Sequence, residues 1–582
     1  MALFFMLLAV SPTTLGDLLV WGHLPRDFWN PERLARARYV GFGFSALWLL
    51  YTATFLWSLT RDDRAEGGVN KRDEGFVGTG ATRGAALVVL LAASLAVRIR
   101  FLPVPLDYDE AYTFWNYARH GPIEALARFD STNNHPLNSL LMAMCYRFGG
   151  AEEWVIRLPV FLAGVLVPVL VFLACAAFGE VVAGFCAGAA AVVSIPLVEY
   201  SANARGYMLL ACANLLATLG AASMVRGRRG SALLVGGMVL GIWSLPSAVL
   251  ALPGMLVWVW RRTRSWVEVL RVGLGVAAVG GLVYVPGYIA MGTRALENPF
   301  VLPLELSLWL IRYPLALIEA LGAVAVPVPY DGIAARMHGR AVDLFIRWLV
   351  HPEALGCLVV SVFFVGISVW ARGAVASWAT AVLASVAVAC MALRLAPPPR
   401  VFAPYIPLAI VLFAVGLIRA GGKVQEARAR QGRFFERTLA TAAVLLIGVG
   451  LAFYWRRPLA SRFDRYGWRL YVPAVAERVA ERSGGRKCCI VASLPTDLPL
   501  RVYLWREGVL YEWGLDGGCA GGRYLAWLGP DPPVAAALRA DPVLKPFASA
   551  LQLGPLRPVG YFGPLVLYEL GAPAEPPEGR SG

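Results

Sequence analysis

The chain has 582 residues, 58% of them hydrophobic and 16% charged, against roughly 45–50% apolar and about 25% charged in ordinary soluble domains. That composition excludes a soluble enzyme, and apolar runs of about 18 residues or more, each able to cross a bilayer core as a helix, recur along the sequence. A net charge of +15, from 53 basic and 38 acidic residues, points to nucleic acid in a soluble protein; here the basic residues gather in short loops between apolar runs, where they orient helices.

Residues 1–20 are apolar but lack a basic start and contain Pro12 and Gly16, so they read as a further span rather than a cleaved signal peptide. Spans are predicted near 41–59, 85–102, 155–177, 181–198, 207–225, 272–290, 355–371, 375–393, 403–419 and 438–455. The stretch 231–260 is long for one span, and Pro246 near its middle predicts two short helices forming a hairpin. Residues 307–328 are interrupted by Arg312 and Glu319 and are placed at the interface or against the bundle. The expectation is an all-α polytopic membrane protein of about 11–13 transmembrane helices.

Lysine and arginine in short loops set the orientation. Basic clusters fall at 226–229, 261–271 and 419–437. With 231–260 as a hairpin all three lie on one side, which marks the cytoplasm; a single span there would split them. The loop 103–154 and the segment 456–582 are then external. Three parts follow: 1–84, an N-terminal membrane extension with a cytoplasmic loop; 85–455, a transmembrane core that includes the loop 103–154; and 456–582, an external domain.

That last domain is more polar. An amphipathic helix near 472–482 leads to a strand at 489–493, with further strand-like runs at 501–511, 523–528 and 564–570, which together predict a small α/β domain. Nine cysteines are present and no C-x-x-C pair, which argues against a zinc or redox site. Cys488, Cys489 and Cys519 leave room for one disulfide if the domain faces an oxidising space.

The loop after the span at 85–102 carries the chemistry. It opens Leu106-Asp107-Tyr108-Asp109-Glu110-Ala111-Tyr112, three carboxylates in four residues directly after a membrane span. Charge there is costly unless solvated, paired or used. The bland reading is a helix start, with Asp107 or Asp109 as N-cap. Against it stand an amphipathic run from Ala111 to Phe129, then Ser131-Thr132-Asn133-Asn134-His135-Pro136-Leu137, a second apolar segment from Leu140 to Phe148, and Arg157-Leu158-Pro159. Such a loop is an acidic and polar pocket resting on the membrane.

In their order, Asp109-Glu110-Ala111-Tyr112, Asn133-Asn134-His135-Pro136-Leu137 and Arg157-Leu158-Pro159 resemble bacterial GT-C glycosyltransferases of the family 39, protein mannosyltransferase and aminoarabinose transferase group, over about residues 85 to 420. The resemblance implies the GT-C fold and a sugar taken from a polyprenyl-phosphate donor at the external face and passed, with inversion, to a hydroxyl of a lipid, glycan or protein acceptor. It implies Asp109 as general base and Glu110 as a group that orients the acceptor or holds a cation. Asp107, Asn134 and His135 would line the substrate pocket. Arg205, in Tyr200-Ser201-Ala202-Asn203-Ala204-Arg205-Gly206-Tyr207, matches the family's Arg-x-Tyr, and Arg400 after Pro397-Pro398-Pro399 matches its phosphate-binding arginine. Tyr207, and less specifically Tyr405 and Arg394, are further candidates. The chain departs from the family in Leu137, where a second proline is frequent, and in Trp243, where many members have histidine. Asp107-x-Asp109 also matches a weak Mg²⁺ or Mn²⁺ pattern, although related transferases need no metal. The resemblance further implies a bacterial inner-membrane enzyme with its active site toward the periplasm or exterior. The competing function is a transporter or flippase of lipid-linked sugars, but such proteins place ionisable groups near the bilayer midplane, and here the acids cluster in a loop.

Overall fold

The computed structural model describes residues 30–61, 80–128, 131, 133–226, 230–292, 303–326, 328, 332–337, 340–426, 432–456, 468–515, 519–529, 540–547 and 556–570, with 6 and 10 besides. The span expected at 1–20 lies outside the described residues, 6 and 10 apart. The protein is a multi-pass membrane protein. Among the described residues seven helices are long and apolar enough to cross a membrane, or nine if each of two bent pairs is one span. Two compact units divide the chain: Met1–Arg100, His120–Met144 and Arg157–Arg456 form the first, and Phe101–Arg119, Cys145–Ile156 and Arg457–Gly582 the second. The sequence groups the loop 103–154 with the bundle, whereas both arms of that loop cluster with the tail.

In the first unit, small residues let helices approach closely, as packing within lipid requires. Helices Tyr207–Val225 and Ser231–Ser244 run antiparallel. Gly220 lies against Leu234 and Gly230, Gly237 against Ala213 and Ala217, and Gly206 against Ser244, each with no room for a Cβ. The second helix stops at Leu245, since a residue before proline disfavours the helical region; a 3₁₀ segment Pro246–Ala251 follows, then helix Leu252–Thr263. Arg262 Nη2 donates to the Val225 carbonyl at 3.2 Å, so the chain has returned to the end it left. That is the predicted hairpin. Arg226 Nη2 donates to the Ala176 carbonyl and Arg419 Nη2 to Glu180 Oε1, which gathers these basic ends at one end of the bundle. Gly206 and Ser244 mark the opposite end. The predicted interfacial stretch forms helix Leu306–Gly322. Its buried Glu319 is satisfied by the backbone N–H groups of Ile333 and Ala334 and by Trp348 Nε1.

The span predicted at 181–198 is bent by 61° between Val181–Val193 and Ile195–Ser201. Pro196 has no N–H to offer the Val192 carbonyl. The Arg98 guanidinium, fully buried, takes over: Nη1 donates to the Val192 carbonyl at 3.2 Å, Nη2 to Ala191 at 3.1 Å and Nε to Ser201 Oγ at 3.0 Å.

In the second unit a five-stranded sheet has the order β2-β1-β3-β5-β4, with β1 Cys488–Ala492, β2 Tyr511–Trp513, β3 Arg523–Leu528, β4 Leu556–Phe562 and β5 Leu565–Leu570. Helix Val472–Ser483 buries Val472, Val475, Ala476 and Val479 with Ile490, Tyr524 and Leu567. Cys489 and Cys519 are disulfide-bonded, Cα to Cα 5.4 Å, a normal separation. The strand-like run 501–511 is corrected: it is helix Asp497–Arg506 followed by short β2. The reason is topological, because β1 and β2 are parallel and a parallel pair needs a crossover, usually a helix. Strand β4 goes unpredicted because Pro558 and Gly560 break its alternation at a register shift; it is an edge strand, where proline is tolerated.

Candidate active site

The second unit holds the acidic cluster. Helix Tyr108–Asn116 starts on a capping box: the Asp107 side chain accepts the Glu110 N–H and Glu110 Oε2 accepts the Asp107 N–H at 2.9 Å, while Asp107 Oδ1 also accepts the Tyr108 N–H at 2.8 Å. The Leu106 N–H goes to Tyr503 Oη at 2.9 Å. Two of the three carboxylates thus serve the helix start, with Glu110 fully buried. Asp109 is the third, half-buried at the second helical position and outside the box. Burial pushes the Asp107 carboxyl up to about 6; Arg469 opposes this, and Asp109 and Glu110 reinforce it, since carboxylates this close resist ionising together. The long amphipathic helix expected from Ala111 to Phe129 is instead Tyr108–Asn116, Ala118–His120 and Pro122–Ala127. The break falls at Gly121, whose φ of 112° suits glycine, ahead of Pro122.

The first unit holds Asn134, His135, Arg205, Tyr207 and Arg400. Asn134 is buried and engaged: Nδ2 donates to the carbonyls of Ala125 and Arg128, and Oδ1 accepts from Ser139 Oγ. It shapes the loop that carries His135. His135 Nδ1 accepts the Gly206 N–H at 2.7 Å, and its ring meets Tyr207 edge-on at 5.5 Å. Burial, then the charges of Arg205 and Arg400, hold its pKa well below the usual range. A neutral imidazole with Nδ1 accepting carries its proton on Nε2. That Nε2 lies 3.3 Å from Arg205 Nη2. Two donors therefore lie side by side, an arrangement that an anionic oxygen accepting from both satisfies.

Sequence reasoning missed the acceptors here. Asn138 Nδ2 donates to the Ala204 carbonyl at 2.6 Å and pins the loop to the turn before Arg205. Asn138 Oδ1 and Asn203 Oδ1 are buried and have no hydrogen-bond partner among the described residues, and buried acceptors left so are costly. Asparagine within a polar run was the only signal. Arg400 lines a hollow with Glu199, Tyr200, Pro196 and Pro399. Trp243, where histidine was expected, donates Nε1 to the carbonyls of Val279 and Gly280 and is a packing residue. Tyr405 Oη lies 3.4 Å from the Ser247 carbonyl, and Arg394 sits at a φ of 50°. Among the described residues no group of three or more His, Cys, Asp or Glu side chains is arranged to hold a metal ion.

No protein-family model matches the chain, and no curated protein matches it in sequence. Among solved structures it is similar to ArnT from Cupriavidus metallidurans in the apo state, at TM-score 0.46 and 16% identity over 84% of this chain and 98% of that one. The same protein bound to undecaprenyl phosphate gives TM-score 0.46 and 16% identity over 85% and 99%. The arabinosyltransferase EmbB from Mycobacterium smegmatis gives TM-score 0.32 and 15% identity over 72% and 44%.

Proposed function

We propose that this chain is a GT-C membrane glycosyltransferase that moves a sugar from a polyprenyl-phosphate donor to a hydroxyl acceptor with inversion. The observation that carries the proposal is the pair of adjacent donors, Arg205 and the Nε2–H of His135, beside the buried acceptors Asn138 Oδ1 and Asn203 Oδ1. A sugar phosphate matches both halves: its phosphate oxygens accept from Arg205 and His135, and its hydroxyls donate to the asparagines. Arg205 and Arg400 stabilise the charge that develops on the leaving lipid phosphate. Asp109 takes the proton of the acceptor hydroxyl as its oxygen attacks the anomeric carbon. Asp107 and Glu110 hold Asp109's helix. The active site faces the periplasm or exterior of a bacterial inner membrane, and the basic turns face the cytoplasm.

The test is mass spectrometry of glycolipids and glycans from a deletion strain. A sugar-bearing species is expected to be missing, restored by the wild-type gene and not by Arg205→Met. Unchanged profiles in the deletion strain remove the proposal. Cysteines placed singly at 105–150 and at 420–437 are expected to react with an impermeant thiol reagent from opposite sides of intact cells and inverted vesicles. Labelling of both from one side overturns the orientation.

A further inference from the structure

We infer that Tyr503, with Glu153 and Arg506, is a positioning group that fixes the acidic helix for catalysis, so the tail domain is a working part of the acidic loop. This deepens the transferase reading and rests on it. The argument lies within the second unit. The Tyr503 hydroxyl accepts the Leu106 N–H at 2.9 Å and donates to Glu153 Oε1 at 2.8 Å. One accepted and one donated bond fix the phenol's rotor. Glu153 Oε1 also accepts from Arg506 Nη1 at 2.8 Å, while Arg506 Nη2 donates to Glu152 Oε2 at 2.8 Å. These are charge-assisted bonds, and Tyr503 is 3% exposed.

The result is a chain of contacts from residue 106 to residues 152 and 153, the two arms of one loop, closed through helix Asp497–Arg506. An aromatic cluster holds the same parts: Phe114, fully buried, meets Tyr146 at 5.1 Å and Trp505 at 6.0 Å. The Asp107 and Glu110 carboxylates engage the amides of residues 107, 108 and 110, so the tail phenol on the Leu106 amide completes the run 106–108 ahead of the first full turn. Asp109 is one residue further on. A loop that must hold a base to a fraction of an ångström gains from such support.

The experiment uses the full-length protein in nanodiscs. In Tyr503→Phe, amide exchange over residues 104–117 is expected to quicken by at least about tenfold, while strand Cys488–Ala492 keeps its protection. Unchanged exchange over 104–117 overturns the inference, whatever reaction the protein performs. Should Tyr503→Phe lose protection in that strand as well, Glu153→Ala, which removes the phenol's acceptor outside the tail, takes its place with the same expectation. In membrane vesicles supplied with total polyprenyl lipid extract as donor, the limiting rate is expected to fall about tenfold with the half-saturating amount unchanged. Glu153→Gln, which retains an acceptor oxygen, is expected to keep most of that rate. A wild-type rate in Tyr503→Phe beside a silent Asp109→Asn overturns the inference and leaves the transferase standing. Wild-type rates in both sink the transferase reading, and the exchange result still decides the support of the helix.

Discussion

Asp109→Asn is expected to lower product formation by at least about 100-fold, the low end of what a positioned general base contributes, with the capping box of its helix intact. The asparagine is isosteric and cannot take the acceptor proton. The capping box uses Asp107 and Glu110, so the helix keeps its start. Glu110→Ala is the useful contrast: it removes the acceptor of the Asp107 N–H and costs about 1 kcal/mol through the lost cap interaction, an effect on the fold first and on rate through it. Product is read by mass spectrometry in the deletion strain carrying each variant, and stability by thermal unfolding in detergent. Wild-type product in Asp109→Asn removes Asp109 as the base.

The second large effect is expected at Arg98→Met, with a loss of about 3 kcal/mol in stability, the scale of several buried acceptors losing a charged donor. Removing the guanidinium leaves the carbonyls of Ala191 and Val192 without their donor at the bend, and Pro196 has no N–H to replace it. Removing a buried charge also relieves its desolvation, which keeps the expected loss below the sum of the bonds. Arg98→Lys keeps the charge but not the three-way fork, so an intermediate loss is expected. Activity falls too, because Arg98 Nε holds Ser201, four residues before Arg205. An Arg98→Met protein that melts with the wild type shows that the bend is held without the guanidinium.

The acidic loop illustrates how a local pattern can be legible while its use is not. Asp-x-x-Glu before an apolar run is a capping signature, and the sequence reading weighed an N-cap at Asp107 or Asp109. Asp107 is the cap and Asp109 stands outside the box, and the Leu106 N–H just before them is bound by a Tyr503 hydroxyl 397 positions along the chain. Likewise Arg98 reads as the end of a span, and nothing near it in sequence announces that carbonyls at 191 and 192 need it.

The amino-acid sequence alone determined the membrane class, most span positions, the hairpin at Pro246 and most strands of the tail, because apolar run length, helix-breaking proline and alternation act over a few residues. Tertiary structure alone decided that both arms of the first loop belong with the tail, that 497–506 is a helix, and that His135 and Arg205 lie side by side as donors. These depend on hydrogen bonds and crossovers between distant residues, and no local periodicity encodes them.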